Sequence, residues 1–194
     1  MKRILISVTN KDGIEQFERL IKLNGWEIIS TGGTATKLKE FGIPYIPIED
    51  ITGIPEMMDG RVKTLSHKVF GGILAERSKE SHLQAVAKQG MHLIDIVAVN
   101  LYDFAAEQNI ERIDIGGPSL IRAAAKNYQD CCPIVDPADY DNIIGEIETN
   151  GGIYLGTRQA MAQKVFEHTA EYDKAIAMWM AGRNLDKKGF GVLD

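Results

Sequence analysis

The segment LIDIVAVNLY at residues 93–102 decides the fold. Its first part, 93–99, is the most apolar short run in the chain and has the length and β-branched content of a strand. The run stops at the polar Asn100 and at Tyr102. A strand apolar on both faces belongs in the middle of a parallel sheet covered by helices, because a half-solvated strand would alternate. Upstream, residues 3–8 read as another buried strand, 26–29 as the next and 44–48 as a weaker one. Between them Ile14, Phe17, Leu20 and Ile21 share one face of a helix over 11–24, which Gly25 stops. Thr34 caps a helix carrying Leu38 and Phe41, and Gly42 closes it. Residues 49–63, rich in Gly, Pro and charge, read as an ordered loop; 69–76 are ambiguous and 80–89 are helical.

Downstream, Gly117-Pro118 opens a helix over 118–127, proline suiting the first helical position. Residues 131–135 form a strand that Pro133 consigns to a sheet edge. Asp136-Pro137 starts a helix to about residue 147. Thr157 caps a long helix with Ala162, Val165, Phe166, Thr169, Ile176 and Met180 along one side. Strands alternating with helices imply an α/β layered fold with a mostly parallel sheet.

The bulk properties narrow the function. At 194 residues and 44% hydrophobic, the chain suits one domain, 1–182, with a tail or linker stub over 183–194. No apolar run approaches the roughly 20 residues of a membrane span, so a cytoplasmic protein without membrane contact is expected. A net charge of −5 argues against a nucleic-acid partner. The adjacent Cys131 and Cys132 strain disulfide geometry and read as reduced core residues. His67, His82, His92 and His168 show no ligand spacing, so no metal is expected.

In parallel sheets ligands sit beyond the carboxyl ends of the strands. Three polar loops qualify: 7–11 (SVTNK), 30–34 (STGGT) and 100–102 (NLY). Thr31-Gly32-Gly33-Thr34 has glycines that let backbone N–H groups approach a phosphate, before a helix N-terminus that favours an anion. Ser7, Thr9 and Lys11 add donors and a charge at the neighbouring strand end. Arg61 and Lys63 place two cations in the Gly/Pro-rich loop. Asp114-Ile115-Gly116-Gly117-Pro118 precedes Arg122 and Lys126, which share one helix face; Asp114 pairing with Arg122 is the bland alternative.

Together the stretches SVTNKDGIEQF, STGGTATKLKEFGI, ITGIPEMMDGRVKTL, NLYDF, IDIGGPSLIRAAAKN and TRQAMAQKVFEHTAEYDKAI resemble the inosine monophosphate cyclohydrolase domain of the bifunctional purine-biosynthesis enzymes. STGGTA is shared with the wider methylglyoxal-synthase-like group; RVKTL, NLY and IDIGGPSLIRAAAKN are more specific. The resemblance implies a three-layer, methylglyoxal-synthase-like α/β sandwich with C-terminal helices. It also implies dehydrative closure of 5-formamidoimidazole-4-carboxamide ribotide to inosine monophosphate, no cofactor, a homodimer and a fused or separate formyltransferase. It makes Lys63, Tyr102, Asp114 and Lys126 catalytic. It assigns Ser7, Thr9, Lys11, Thr31, Gly33, Thr34, Arg61, Thr64 and Asn100, with Ile115, Gly116 and Gly117, to the nucleotide substrate. Two departures stand out: Ser66-His67 replaces the family's His-Pro and Phe70 its histidine, and NLYDF replaces NLYPF. The rival readings are methylglyoxal synthase and a non-catalytic module sensing a phosphorylated metabolite.

Overall fold

The computed structural model describes residues 1–182, so the tail expected over 183–194 lies outside the described residues. Strands β1 (Lys2–Ile6), β2 (Trp26–Ser30), β3 (Ile46–Pro47), β4 (Ile96–Ala98) and β5 (Cys132–Ile134) form one sheet in the order β3-β2-β1-β4-β5. Every pairing in it is parallel. The chain runs outward from β1 to β3, then returns to lay β4 on the other side of β1. The crevice beyond β1 and β4 is therefore the topological switch point, where such sheets bind ligands.

The helices are α1 (Glu18–Lys22), α2 (Gly32–Glu40), α3 (Ile48–Thr52), α4 (His67–Leu74), α5 (Glu80–Lys88), α6 (Gly116–Lys126), α7 (Tyr140–Asn150) and α8 (Leu155–Gly182). Strand alternation sends Ile4, Ile6, Ile28, Ile96 and Ile134 to one face, against Leu20 of α1, Leu38 of α2 and Ile143 of α7. Leu5, Ile29 and Val97 face the other way, against α3, α4, α6 and α8. A sheet buried on both faces makes three layers, as expected. The same alternation puts Cys131 in one core and Cys132 in the other, both free and fully buried. β5, with Pro133, is the sheet edge.

Several boundaries differ from the sequence reading. The helix over 11–24 is a 3₁₀ turn (Ile14–Phe17) running into α1. Of the loop expected over 49–63, residues 49–52 belong to α3, and most of the ambiguous run 69–76 lies in α4, capped by Ser66, whose hydroxyl accepts from the Lys68 N–H at 3.2 Å. The Gly71-Gly72 pair had obscured it; a Cβ at Gly72 would lie 2.0 Å from the His92 carbonyl, so glycine admits close backbone packing. α2 starts at Gly32 with Thr31 as cap, and Phe41 is exposed at its end. α6 starts at Gly116, two residues before Pro118. The helix expected from Asp136-Pro137 is a 3₁₀ turn (Pro137–Asp139) leading into α7.

α8 starts at Leu155, not after a Thr157 cap, and its buried stripe is Ala162, Val165, Thr169 and Tyr172, with Ile176 and Trp179 partly covered. Phe166 and Met180 lie off it, each 42% exposed. The observed spacing alternates three and four residues, the helical period, whereas adding Phe166 and Met180 breaks that phase. No helix among the described residues is long and apolar enough to cross a membrane.

Candidate active site

The loops leaving β1, β2 and β4 stand side by side around a cleft of about 860 Å³. Every candidate side chain lines it except Lys126. The floor is the β1 and β2 ends. There the Ser7 and Thr31 hydroxyls are 2.8 Å apart, and the Lys11 ammonium donates to the Thr9 carbonyl at 3.2 Å. A Cβ on Gly33 would sit 3.8 Å from that ammonium. The first N–H groups of a helix have no intrahelical acceptor. Those of Thr34 and Ala35 fold back to the Thr31 carbonyl at 3.1 Å. The N–H groups of Gly32 and Gly33 are left to meet an anion, aided by the helix dipole.

Other floor residues hold the loops instead. The Thr34 hydroxyl, buried, accepts from the Val8 N–H and donates to the Val8 carbonyl, both at 3.0 Å. Asn100 accepts through Oδ1 from the Thr9 N–H at 2.7 Å, the Thr9 hydroxyl at 2.8 Å and the Asn10 N–H at 3.1 Å. Its Nδ2 donates to the Asn10 carbonyl at 2.8 Å. Both line the cleft, and their side chains also brace the loop that follows β1.

The wall comes from residues 56–65 and 102–117. A bridge between Met57 and Val62 closes a tight turn in which Met58, Asp59 and Gly60 all have positive φ. That costly backbone projects Arg61 and Lys63 over the floor. The Lys63 ammonium pairs with Glu56 at 2.8 Å and Arg61 pairs with Glu111. Arg112 lies 5.1 Å from the centroid of the half-exposed Tyr102 ring and pairs with Glu107. Thr64 abuts the start of α6, its hydroxyl 3.1 Å from where a Gly116 Cβ would stand.

Asp114 caps that helix from below. Its carboxylate accepts the Gly117 N–H at 3.0 Å, and a Cβ at Gly117 would fall 2.3 Å from its other oxygen. Only glycine admits the carboxylate there. Burial raises its pKa above the ordinary aspartate value, while the Gly117 and Gly116 N–H groups pull the other way. The alternative partner Arg122 is engaged elsewhere: it donates to Thr169 at 3.3 Å and covers the Phe166 ring at 5.3 Å.

Lys126 does not line this cleft within the chain. It ends α6, about 15 Å along the axis from Gly116 at 1.5 Å per residue, and its charge is felt by Glu76 instead. His67 is exposed outside the cleft. Sequence reasoning missed Glu56, Glu111 and Arg112, ordinary surface charges whose role appears only once the turn folds over. Among the described residues no three His, Cys, Asp or Glu gather as a metal site.

The MGS-like domain model matches residues 13–129. The chain belongs to the MGS-like domain family. A second model, the AICARFT/IMPCHase bienzyme, matches residues 124–191. The bifunctional purine biosynthesis protein PurH of Enterococcus faecalis is 51% identical over 188 residues, covering 92% of this chain and 37% of that protein. Its counterpart in Streptococcus uberis is 50% identical over 191 residues, covering 94% and 37%. This MGS-like chain thus spans about 37% of the length of the curated relatives it matches. A solved structure described as ForH superposes with a TM-score of 0.84 at 35% identity, covering 93% of this chain and 97% of that one. The family and the sandwich expected from the motifs are therefore those found.

Proposed function

We propose that the chain is an IMP cyclohydrolase, closing 5-formamidoimidazole-4-carboxamide ribotide to inosine monophosphate with loss of water. The observation that carries this is the Asp114 carboxylate, half-buried at the start of α6 in the same cleft as Lys63 and Tyr102. A sensor of phosphorylated metabolites has no use for a carboxylate desolvated beside its ligand. Methylglyoxal synthase has no call for the Arg61–Lys63 turn.

The ribotide phosphate sits on the Gly32 and Gly33 N–H groups, with Ser7, Thr31 and Lys11, which turns the base toward the wall. Proximity is built into the substrate, since both reacting groups belong to one molecule. The carboxamide nitrogen attacks the formyl carbon as Asp114 takes its proton. Lys63, exchanging Glu56 for the developing oxyanion, stabilises it. Tyr102 relays the proton to the departing oxygen. The C–O bond breaks, the ring gains its C=N bond, and the formamide N–H supplies the second proton of the water. Lys126, outside this cleft, has no step here, so Lys63 alone serves the oxyanion within the chain.

We also infer a homodimer using the outer face of α8, where Phe166, Met178 and Met180 are exposed, and a formyltransferase, fused or separate, as the source of substrate. A monomeric mass by light scattering rejects the dimer. The activity itself is tested by following ring closure by absorbance on the purified chain. Turnover without added cofactor is expected, and binding of inosine monophosphate without turnover rejects the enzyme.

A further inference from the structure

α8 reaches the cleft through one side chain that has no place in the chemistry above. Tyr172, buried on the face of α8 packed against α6, accepts the Asp114 backbone N–H at 2.7 Å and donates its proton to the Arg112 carbonyl at 2.8 Å. Its single hydroxyl therefore clamps the main chain on both sides of Ile113. The ring is fixed in turn by Phe104, fully buried, whose centroid lies 6.2 Å away in an edge-on contact. Phe104 also meets Trp179 edge-on at 5.4 Å. Two aromatic residues of one helix thus grip the segment joining Tyr102 to Asp114.

That segment carries little other regular structure. Between β4 and α6 it contains a single 3₁₀ turn, Ile110–Arg112, and its charged side chains Glu107, Glu111 and Arg112 make exposed ion pairs. Without the clamp, the carboxylate would be held only from the α6 side, by the N–H groups of Gly116 and Gly117. We propose that Tyr172 is a positioning residue, fixing the backbone from which the Asp114 carboxylate is presented to the reacting amide. The inference rests on the cyclohydrolase reading and deepens it. The phosphate floor is built on β1 and β2, away from α8, so the clamp bears on the reaction and not on nucleotide binding.

The test is Tyr172→Phe in the full chain, which keeps the ring contacts and removes both hydrogen bonds. Thr169→Val, on the same buried face but touching Arg122 and not the 112–114 segment, serves as the control for packing alone. In single turnover Tyr172→Phe should lower kcat about 10-fold to 100-fold, the range for a reacting group displaced by a fraction of an ångström to one ångström, with inosine monophosphate affinity changed less than about 2-fold. Thr169→Val should lower Tm with normal kcat. An unmoved kcat in folded Tyr172→Phe, with wild-type closure intact, overturns the clamp alone. Equal losses of kcat in both variants mark a general packing effect and overturn it as well. A wild-type chain that binds inosine monophosphate and closes no ring overturns the reading of the reaction, and the clamp falls with it.

Discussion

On the floor of the cleft, Thr34 and Asn100 reach across to backbone groups of the loop after β1, where Thr9 also bonds to Asn100, while on the wall Arg61, Lys63 and Arg112 are tied to carboxylates near the surface. The floor presents main-chain N–H groups and a lysine in fixed positions, a geometry suited to a phosphate that is the same before and after reaction. The wall presents side chains in exchangeable pairs, suited to groups whose charge changes during it. Exposed ion pairs contribute roughly 0–1 kcal/mol each, so substrate can displace Glu56 or Glu111 at little cost. Buried hydroxyl bonds of the Thr34 kind are not exchangeable in that way, because an orphaned backbone group costs about 1–3 kcal/mol.

The difference breaks first at Asp114. Asp114→Asn should lower single-turnover kcat about 10²–10⁴-fold with product affinity little changed, since the base acts only as the ring closes. Burial raises this carboxyl's pKa in the folded chain, so its deprotonation withdraws stability as pH rises through that value. Neutral asparagine removes that cost, and Tm at neutral pH should not fall. Lys63→Met should follow with a loss of at least about 10²-fold in kcat.

Floor substitutions should divide. Lys11→Ala should weaken inosine monophosphate by about 1.5–3 kcal/mol in calorimetry, the range for a charged hydrogen bond, without affecting Tm. Thr34→Val should do the reverse, lowering stability by about 1–3 kcal/mol in denaturant unfolding while the folded fraction binds normally. Affinity lost in both equally would mean that the Thr34 hydroxyl meets the ligand after all. The smallest effect belongs to Glu111→Gln, which frees Arg61 and should raise affinity less than about 5-fold, an increment that salt erases.

How much of this was legible in the sequence depends on which property carried it. The strand ends were plain, because apolar runs 3–8 and 93–99 stop at polar residues and topology sends those ends to one crevice. Whether a polar residue there also ties neighbouring loops together was not: the Thr34 and Asn100 side chains bond to residues 8–10, far away in the chain. Gly71 and Gly72 hid α4 because their value lies in the His92 backbone they approach, a contact far along the chain. The α8 stripe was mis-phased by the bulk of Phe166 and Met180; strict spacing would have found Tyr172. Lys126 was legible only through the motif resemblance, and the rise of α6 sets it about 15 Å along the axis from Gly116, apart from the cleft lining. Ile110–Arg112 carried no signal, since irregular backbone held by a distant tyrosine has no local pattern.

The central claim is that a desolvated Asp114 is the base, and the pH dependence of single-turnover ring closure measures it most directly. With wild-type chain saturated by substrate, the rate should climb with pH along an acid limb displaced above the ordinary aspartate range, and that limb should disappear in Asp114→Asn. The same limb persisting in Asp114→Asn, or a wild-type rate limited at an ordinary aspartate value, would contradict it.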